Sequence, residues 1–169
     1  IYATGLCHQI EARDFLIGLL LEEDSFNLNI INSLECWGAD IPIELIEAIL
    51  NEKSQALKLS GINFLKFKSH LLSDDQILYL TEGLLNDFRE QVVISTIQLL
   101  QKRNGIRVVD KLAKVVTHGS FTVSKIAIQA LGCMQTKHSQ NKLEYLYNSL
   151  TDDKLKMLAE KQLLQQYKR

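Results

Sequence analysis

One four-residue phrase recurs along this chain at the spacing of a helix-pair repeat: an Ile, two variable residues and a closing Leu. The clear copies are Ile31-Asn32-Ser33-Leu34, Ile62-Asn63-Phe64-Leu65, Ile97-Gln98-Leu99-Leu100 and Ile128-Gln129-Ala130-Leu131. Degenerate candidates are Lys161-Gln162-Leu163-Leu164 and Ala3-Thr4-Gly5-Leu6. The six closing leucines are 28, 31, 35, 31 and 33 residues apart, which is the period of a two-helix solenoid unit. The phrase therefore predicts an all-α fold.

The period predicts an α-solenoid, a right-handed superhelix of about five to six antiparallel helix-pair repeats. The approximate units are 1–20, 21–50, 51–85, 86–116, 117–150 and 151–169, and together they form one domain over 1–169. The chain begins at Ile1 within an apolar stretch, so we expect it to be a segment of a longer protein. One unit cannot bury its apolar stripe alone, so we expect stability to come from stacking.

Each unit divides into a first helix that carries the phrase and a second helix that ends in apolar residues. The predicted second helices are Glu11–Leu20, Pro42–Leu50, Asp74–Leu85, Ile106–Val116 and Gln140–Leu150. Polar loops rich in Ser, Thr, Asn and Asp follow them, as expected of helix caps. Apolar residues seven positions apart flank four of these loops and should enter the same core layer: Leu50 and Leu57, Leu85 and Val92, Val116 and Val123, Leu150 and Met157.

The composition favours an ordered helical domain. Hydrophobic residues make up 46% of the 169 residues and there is one Pro. No apolar run reaches the 18 residues expected of a membrane span, so we expect no membrane insertion by this segment. Cys7, Cys36 and Cys133 form no CxxC pair, and we expect them to be buried thiols in a reducing, cytoplasmic compartment.

The stretch from Val123 to Gly132, VSKIAIQALG, and its counterpart from Val92 to Leu100, VVISTIQLL, resemble the HEAT-like repeat family in its short bacterial form. The family often has an Arg just after the first Val and an Asp in the preceding loop, stacked as a ladder. This chain holds Asn27, Lys58, Val93 and Ser124 at those Arg positions. The resemblance therefore implies divergent repeats, and it also implies that the second helices line the concave face.

The net charge of −1 conceals an uneven distribution of charged residues. Residues 1–90 hold 15 acidic against 6 basic side chains, giving −9, and residues 91–169 hold 5 against 13, giving +8. Such a division steers binding towards partners of complementary charge. We predict Arg107, Lys111 and Lys114 as a basic contact row. Glu44, Glu47 and Asp75 are its predicted acidic counterpart, and a solvated polar face is the plainer interpretation of either cluster.

The residue patterns argue against catalysis. HEAT-like di-iron hydroxylases carry His-Glu pairs, whereas the four histidines here precede Gln9, Leu71, Gly119 and Ser139. We therefore expect no metal, no cofactor and no enzymatic activity. The acidic half disfavours nucleic acid, and the single tryptophan, Trp37, is interpreted as a packing residue.

The sequence thus predicts a non-catalytic scaffold that binds a partner protein, or another domain of its parent chain, through the concave face. One alternative is a lyase-like or other tetrapyrrole-handling protein of the same fold, because bilin lyases resemble these short repeats. A second alternative is a regulatory solenoid attached to a membrane or signalling protein.

Overall fold

The computed structural model describes residues 10–22 and 26–167, and the regular elements in these residues are all helices. No β-strand occurs in the described ranges, so the predicted all-α class is confirmed. The contacts divide the chain into two compact units, Ile1–Ser73 (unit 1) and Asp74–Arg169 (unit 2). The prediction of one domain over 1–169 stays a prediction.

The α-helices are short, as expected of helix-pair repeats. Unit 1 contains α1 (Ile10–Glu22), α2 (Leu28–Leu34), α3 (Ile43–Asn51) and α4 (Gln55–Lys68). Unit 2 contains α5 (Asp74–Thr81), α6 (Glu90–Leu100), α7 (Ile106–His118), α8 (Phe121–Met134), α9 (Lys137–Ser149) and α10 (Asp153–Tyr167). Single 3₁₀ turns occupy Glu35–Asp40, Ser69–Leu71 and Leu84–Asn86.

The recurrent phrase marks the core. In the four clear copies, the opening Ile and the closing Leu are each 0% exposed, because residues three apart lie on the same side of a helix. The residue two positions after each closing Leu is exposed, since two helical steps rotate it to the opposite side. Cys36 and Cys133 occupy this position and are exposed, so the prediction that they are buried is wrong. Cys7 and the copy at Ala3–Leu6 lie outside the described residues.

The predicted register of the fifth copy, with Leu164 as the buried closing leucine, is wrong. Leu163 is 8% exposed and Leu164 is 53% exposed, so the inward residue is the first of the two leucines. The buried residues of α10 recur every four positions, at Leu155, Ala159 and Leu163. Met157 falls between them on the outer side and is 68% exposed. The predicted layer partnership of Leu150 with Met157 is therefore wrong, whereas both members of the other three pairs are buried.

Side-chain caps fix the helix starts. The Ser54 hydroxyl accepts a hydrogen bond from the Leu57 amide, and Ser120 does the same for Val123, as the polar loops predicted. A capping box at Thr136 and Ser139 starts α9 at Lys137, three residues before the predicted Gln140. The two residues exchange amide–hydroxyl hydrogen bonds of 3.0 Å, and these satisfy amides that the first turn leaves without partners.

Helix α5 is shorter than predicted. It ends at Thr81 rather than continuing to Leu85, and the last residues of the predicted helix form a 3₁₀ turn. The Thr81 hydroxyl donates to the Ile77 carbonyl at 2.7 Å, a contact that weakens regular helix at this point. Gly83 follows, and glycine is a poor helix former. The early end gives a separate loop between α5 and α6.

Helices of the same kind pack in series within unit 2. The first helices α6 and α8 contact each other, and α8 contacts α10. The second helices follow the same order, because α5 packs on α7 and α7 on α9. In unit 1 the first helices α2 and α4 also contact each other. Equivalent helices that lie about one repeat period apart in sequence are thus in contact with each other.

Two of the positions where the HEAT-like family often carries Arg have a shared structural role. The Lys58 ammonium donates to the Leu50 carbonyl, and the Ser124 hydroxyl donates to the Val116 carbonyl, both at 2.8 Å and both eight residues back. Each side chain thereby satisfies a carbonyl at the end of the preceding helix, which has no partner within that helix. The two repeats are therefore equivalent here although neither carries the family's Arg.

Candidate functional site

Ion pairs join the second helices of unit 2. Three of them connect α5, or Glu82 just after its end, to α7 or to the turn before it. Each links an acidic residue to a basic residue 29 to 32 positions later: Asp74 with Arg103 at 3.1 Å, Asp75 with Arg107 at 2.5 Å, and Glu82 with Lys111 in a shorter contact. The acidic helix α5 and the basic helix α7 therefore offset each other's charge.

The same pattern continues from α7 to α9. The Asp110 carboxylate accepts from the Lys142 ammonium and from His138 Nε2, each at 2.9 Å. The hydrogen bond from Lys142, and next that from His138, hold the pKa of Asp110 below its ordinary value. The hydrogen bond from Lys111 lowers the pKa of Glu82 in the same way. These pKa shifts mark carboxylates that are more favourable as anions in the folded state.

The structure brings together some of the predicted contact residues and separates others. Asp75 and Arg107, predicted as opposite halves of a recognition surface, are each other's partners, and Lys111 is engaged by Glu82. Lys114 is exposed and its ammonium makes no ion pair with the residues that the structure describes. The other two predicted acidic residues, Glu44 and Glu47, lie one turn apart on α3 of unit 1.

The sequence did contain a signal for this network. The acidic and basic residues of each ion pair are about one repeat period apart in sequence, and the spacing of the repeated phrase gives that same period. Sequence reasoning treated the two signs as separate surfaces and missed Asp110, His138 and Lys142. A comparison of charges one period apart would have paired them. His138 lies in the first turn of α9.

A cleft of about 590 Å³ lies beside this network in unit 2. It is bordered by the loop between α5 and α6, by the start of α6, by the outer side of α7 and by the loop before α8. Its apolar lining includes Leu85, Val93, Val115 and Val123. Pockets of 300–1,000 Å³ with an apolar lining and a few polar groups are typical of ligand sites.

Phe88 lies at this cleft and is 88% exposed. Its neighbours hold the loop rigid: Arg89 donates from Nε and Nη2 to the two carboxylate oxygens of Asp87, each at 2.7 Å. The Arg89 amide also donates to Asp87, and the Arg89 guanidinium lies 4.8 Å from the centre of the Phe88 ring. The side-chain hydrogen bonds to Asp87 raise the pKa of Arg89. The ring is therefore exposed, and the backbone on either side of it is tied together by the bonds between Asp87 and Arg89.

Burial at the start of α6 does not account for Phe88. A hydrophobic residue just before a helix N-cap commonly packs on the residue five positions later, which here is Val93. Val93 is buried, but Phe88 is too exposed to provide that cover. A phenylalanine left in water forfeits about 2 kcal/mol of burial free energy. Its aromatic surface is thus available to a ligand.

Charged side chains around the cleft are mostly compensated. Glu82 pairs with Lys111 and Asp87 with Arg89. Glu90 accepts a hydrogen bond from the Ser120 hydroxyl, and no cation pairs with it among the described residues. Lys114 therefore provides the one lysine ammonium at the cleft that lacks an ion pair within the described part of the chain.

No protein-family model matches this chain, and none of the curated proteins matches it significantly. The resemblance to HEAT-like repeats thus stays a prediction from sequence. Over residues 10–22 and 26–167, no group of His, Cys, Asp and Glu is placed to hold a metal ion. In the same ranges no helix combines the length and apolar character that a membrane crossing requires. Trp37 is buried, as a packing residue should be.

Proposed function

We propose that this chain is a non-catalytic recognition module, an α-solenoid of stacked helix pairs that binds another protein or another domain of its parent chain. The serial packing of α6, α8 and α10, and of α5, α7 and α9, supports this arrangement within unit 2. Stacking of this kind uses the phrase residues for the core and leaves other positions free to vary.

The observation that carries the proposal is the cleft with the exposed Phe88 ring in its lining. Aromatic anchors contribute much of the binding energy at protein interfaces. An anchor that is already held in place loses less conformational entropy on binding. The Asp87–Arg89 pair supplies that restraint before any partner arrives.

The contact residues proposed for binding differ in part from those that the sequence favoured. Arg107 already pairs with Asp75 of α5, and Lys111 pairs with Glu82 just after that helix, so a partner would have to compete for them. Lys114 carries no such pairing within the described residues. We therefore place Phe88 and Lys114 at the centre of the binding surface, and Glu44 and Glu47 of unit 1 stay predicted contacts.

Site-specific photo-crosslinking tests the proposal. Benzoylphenylalanine replaces Phe88 in the full chain, and irradiation in an extract of the native cells should give a discrete covalent adduct with one protein. Tyr145 is the matched control position, because it is an exposed aromatic residue of unit 2 outside the cleft lining. Position 145 should give no such adduct. Absence of an adduct at position 88, or the same adducts at both positions, contradicts the proposal.

A further inference from the structure

We infer that the cleft binds a peptide segment that carries an Asp or Glu side chain beside a large apolar side chain. This inference rests on the proposed function and specifies its ligand class. The carboxylate would pair with Lys114, and the apolar side chain would pack on Phe88 and the lining around Val93 and Val123.

The charge of the ligand follows from Lys114, because Glu90, the carboxylate at the cleft that has no cation partner among the described residues, already accepts a hydrogen bond from the Ser120 hydroxyl. Among the lysines at the cleft, Lys111 is engaged by Glu82, whereas the Lys114 ammonium is free of ion pairs with the described residues. A charge-assisted hydrogen bond to a carboxylate is about twice as strong as a neutral one. A single acidic side chain therefore matches this wall of the cleft.

The apolar part of the ligand follows from Phe88 and the lining. The exposed Phe88 ring is the main accessible apolar group in the lining, since Leu85, Val93 and Val123 are largely buried beneath it or beside it in the core. Burial of apolar area there supplies roughly 25 cal/mol per Å², while the carboxylate sets orientation. An acidic residue with an apolar neighbour in the same segment can satisfy both features at once.

The acidic residues of the cleft exclude a polyanion. Glu82 and Glu90 lie in the same lining as Lys114. A nucleic acid presents a phosphate at every nucleotide, and its affinity depends on several cations acting together. A single lysine without an ion pair, placed among carboxylates, does not provide the several cations that a nucleic acid requires. The geometry favours one localised carboxylate over a chain of phosphates.

Selection from a random dodecapeptide phage library on the immobilised full chain tests the ligand class. Enriched peptides should contain Asp or Glu within two positions of Phe, Trp, Leu or Met. Fluorescence anisotropy with the best synthetic peptide should then show a dissociation constant about tenfold higher for Phe88→Ala and for Lys114→Glu. Replacing the peptide's acidic residue by Lys should weaken binding to the native chain and improve binding to the Lys114→Glu variant.

Matched controls separate the cleft from the rest of the surface. Lys125→Glu makes the same charge change on an exposed lysine outside the cleft lining, and Tyr145→Ala removes an exposed aromatic residue. Both should leave the dissociation constant within twofold of the native value. Far-ultraviolet circular dichroism should be unchanged in all four variants, since each replaced side chain is exposed.

Several results would overturn the inference. Peptides that bind equally to the Phe88→Ala and Lys114→Glu variants would place the site elsewhere while leaving the proposed binding function standing. Enrichment of basic peptides, or tight binding of a twenty-residue oligothymidine that Lys114→Glu abolishes, would refute the ligand class. No enrichment over empty resin would also overturn it, and the crosslinking at position 88 would then judge the proposed function separately.

Discussion

The register of α10 gives a sharp prediction, because two adjacent leucines there differ in burial. Leu163 is 8% exposed and Leu164 is 53% exposed, although the repeated phrase would have placed Leu164 inside. Replacing each in turn by Ala removes the same atoms from neighbouring positions of one helix. The two variants therefore compare burial at nearly constant helix propensity.

The expected losses follow from the covered fractions. A Leu→Ala change removes three carbon groups worth about 0.8 kcal/mol each when fully buried. The covered fraction of Leu163 makes this about 2.2 kcal/mol, and the cavity left behind brings the loss for Leu163→Ala to about 3 kcal/mol. Leu164 is only half covered, so Leu164→Ala should cost about 1 kcal/mol or less, with part of it returned by the helix propensity of Ala.

Thermal unfolding followed by circular dichroism measures both losses. For a unit of this size, 1 kcal/mol corresponds to about 4–8 °C in melting temperature. Leu163→Ala should therefore lower the melting temperature by about 12 °C or more, and Leu164→Ala by about 8 °C or less. Equal decreases, or a larger decrease for Leu164→Ala, would refute the register and restore the one that the phrase implies.

Three further predictions concern packing and charge. Gly61→Ala should lower the free energy of unfolding in urea by about 1 kcal/mol, because its new methyl group would meet a leucine of α3 at under 3.0 Å and overpacking outweighs helix propensity. Gly18→Ala meets nothing within 4 Å and should raise the free energy of unfolding by about 1 kcal/mol. A change of the same sign in both variants would contradict this prediction. The pKa of Asp110 is lower in the folded chain than its ordinary value of 3.8, so the stabilisation that its carboxylate provides is complete above pH 3.8 and is lost as the pH falls through the folded pKa. The difference in melting temperature between the native chain and Asp110→Asn should therefore shrink from pH 7 to pH 3. A constant difference would argue against the role of this carboxylate. Lys111→Glu should lower the melting temperature more than Lys114→Glu, since only Lys111→Glu places a second carboxylate beside Glu82. Equal melting temperatures for the two variants would contradict the ion-pair network.

The sequence predicted the core well because burial there depends on one short, repeated pattern. Ile97 and Leu100 could be assigned to the interior from spacing alone, and Ser120 could be assigned to a cap from its chemistry. The fifth phrase failed because Leu163 and Leu164 are chemically identical, and only tertiary packing decides which one faces inward. The start of α9 failed because Ser139 was not recognised as half of a capping box.

The candidate site was harder to predict. Helical spacing pointed to Lys111 and Lys114 alike. They differ because the Glu82 carboxylate lies within reach of the Lys111 ammonium but makes no ion pair with that of Lys114. That is set by the register between two helices a repeat apart. Phe88 lies in a loop and belongs to no periodic pattern. The sequence pattern predicted neither the early end of α5 before it nor the bonds between its neighbours Asp87 and Arg89.

Small-angle X-ray scattering of the purified chain tests the proposed serial stacking most directly. A compact globule of 169 residues has a radius of gyration of about 15.5 Å. Five to six helix pairs stacked at interaxial distances of about 10 Å should extend on the order of 50 Å and give about 18–20 Å. We predict a value in that upper range with an asymmetric distance distribution. A symmetric distribution with a radius of gyration near 15.5 Å would contradict the proposed stacked arrangement.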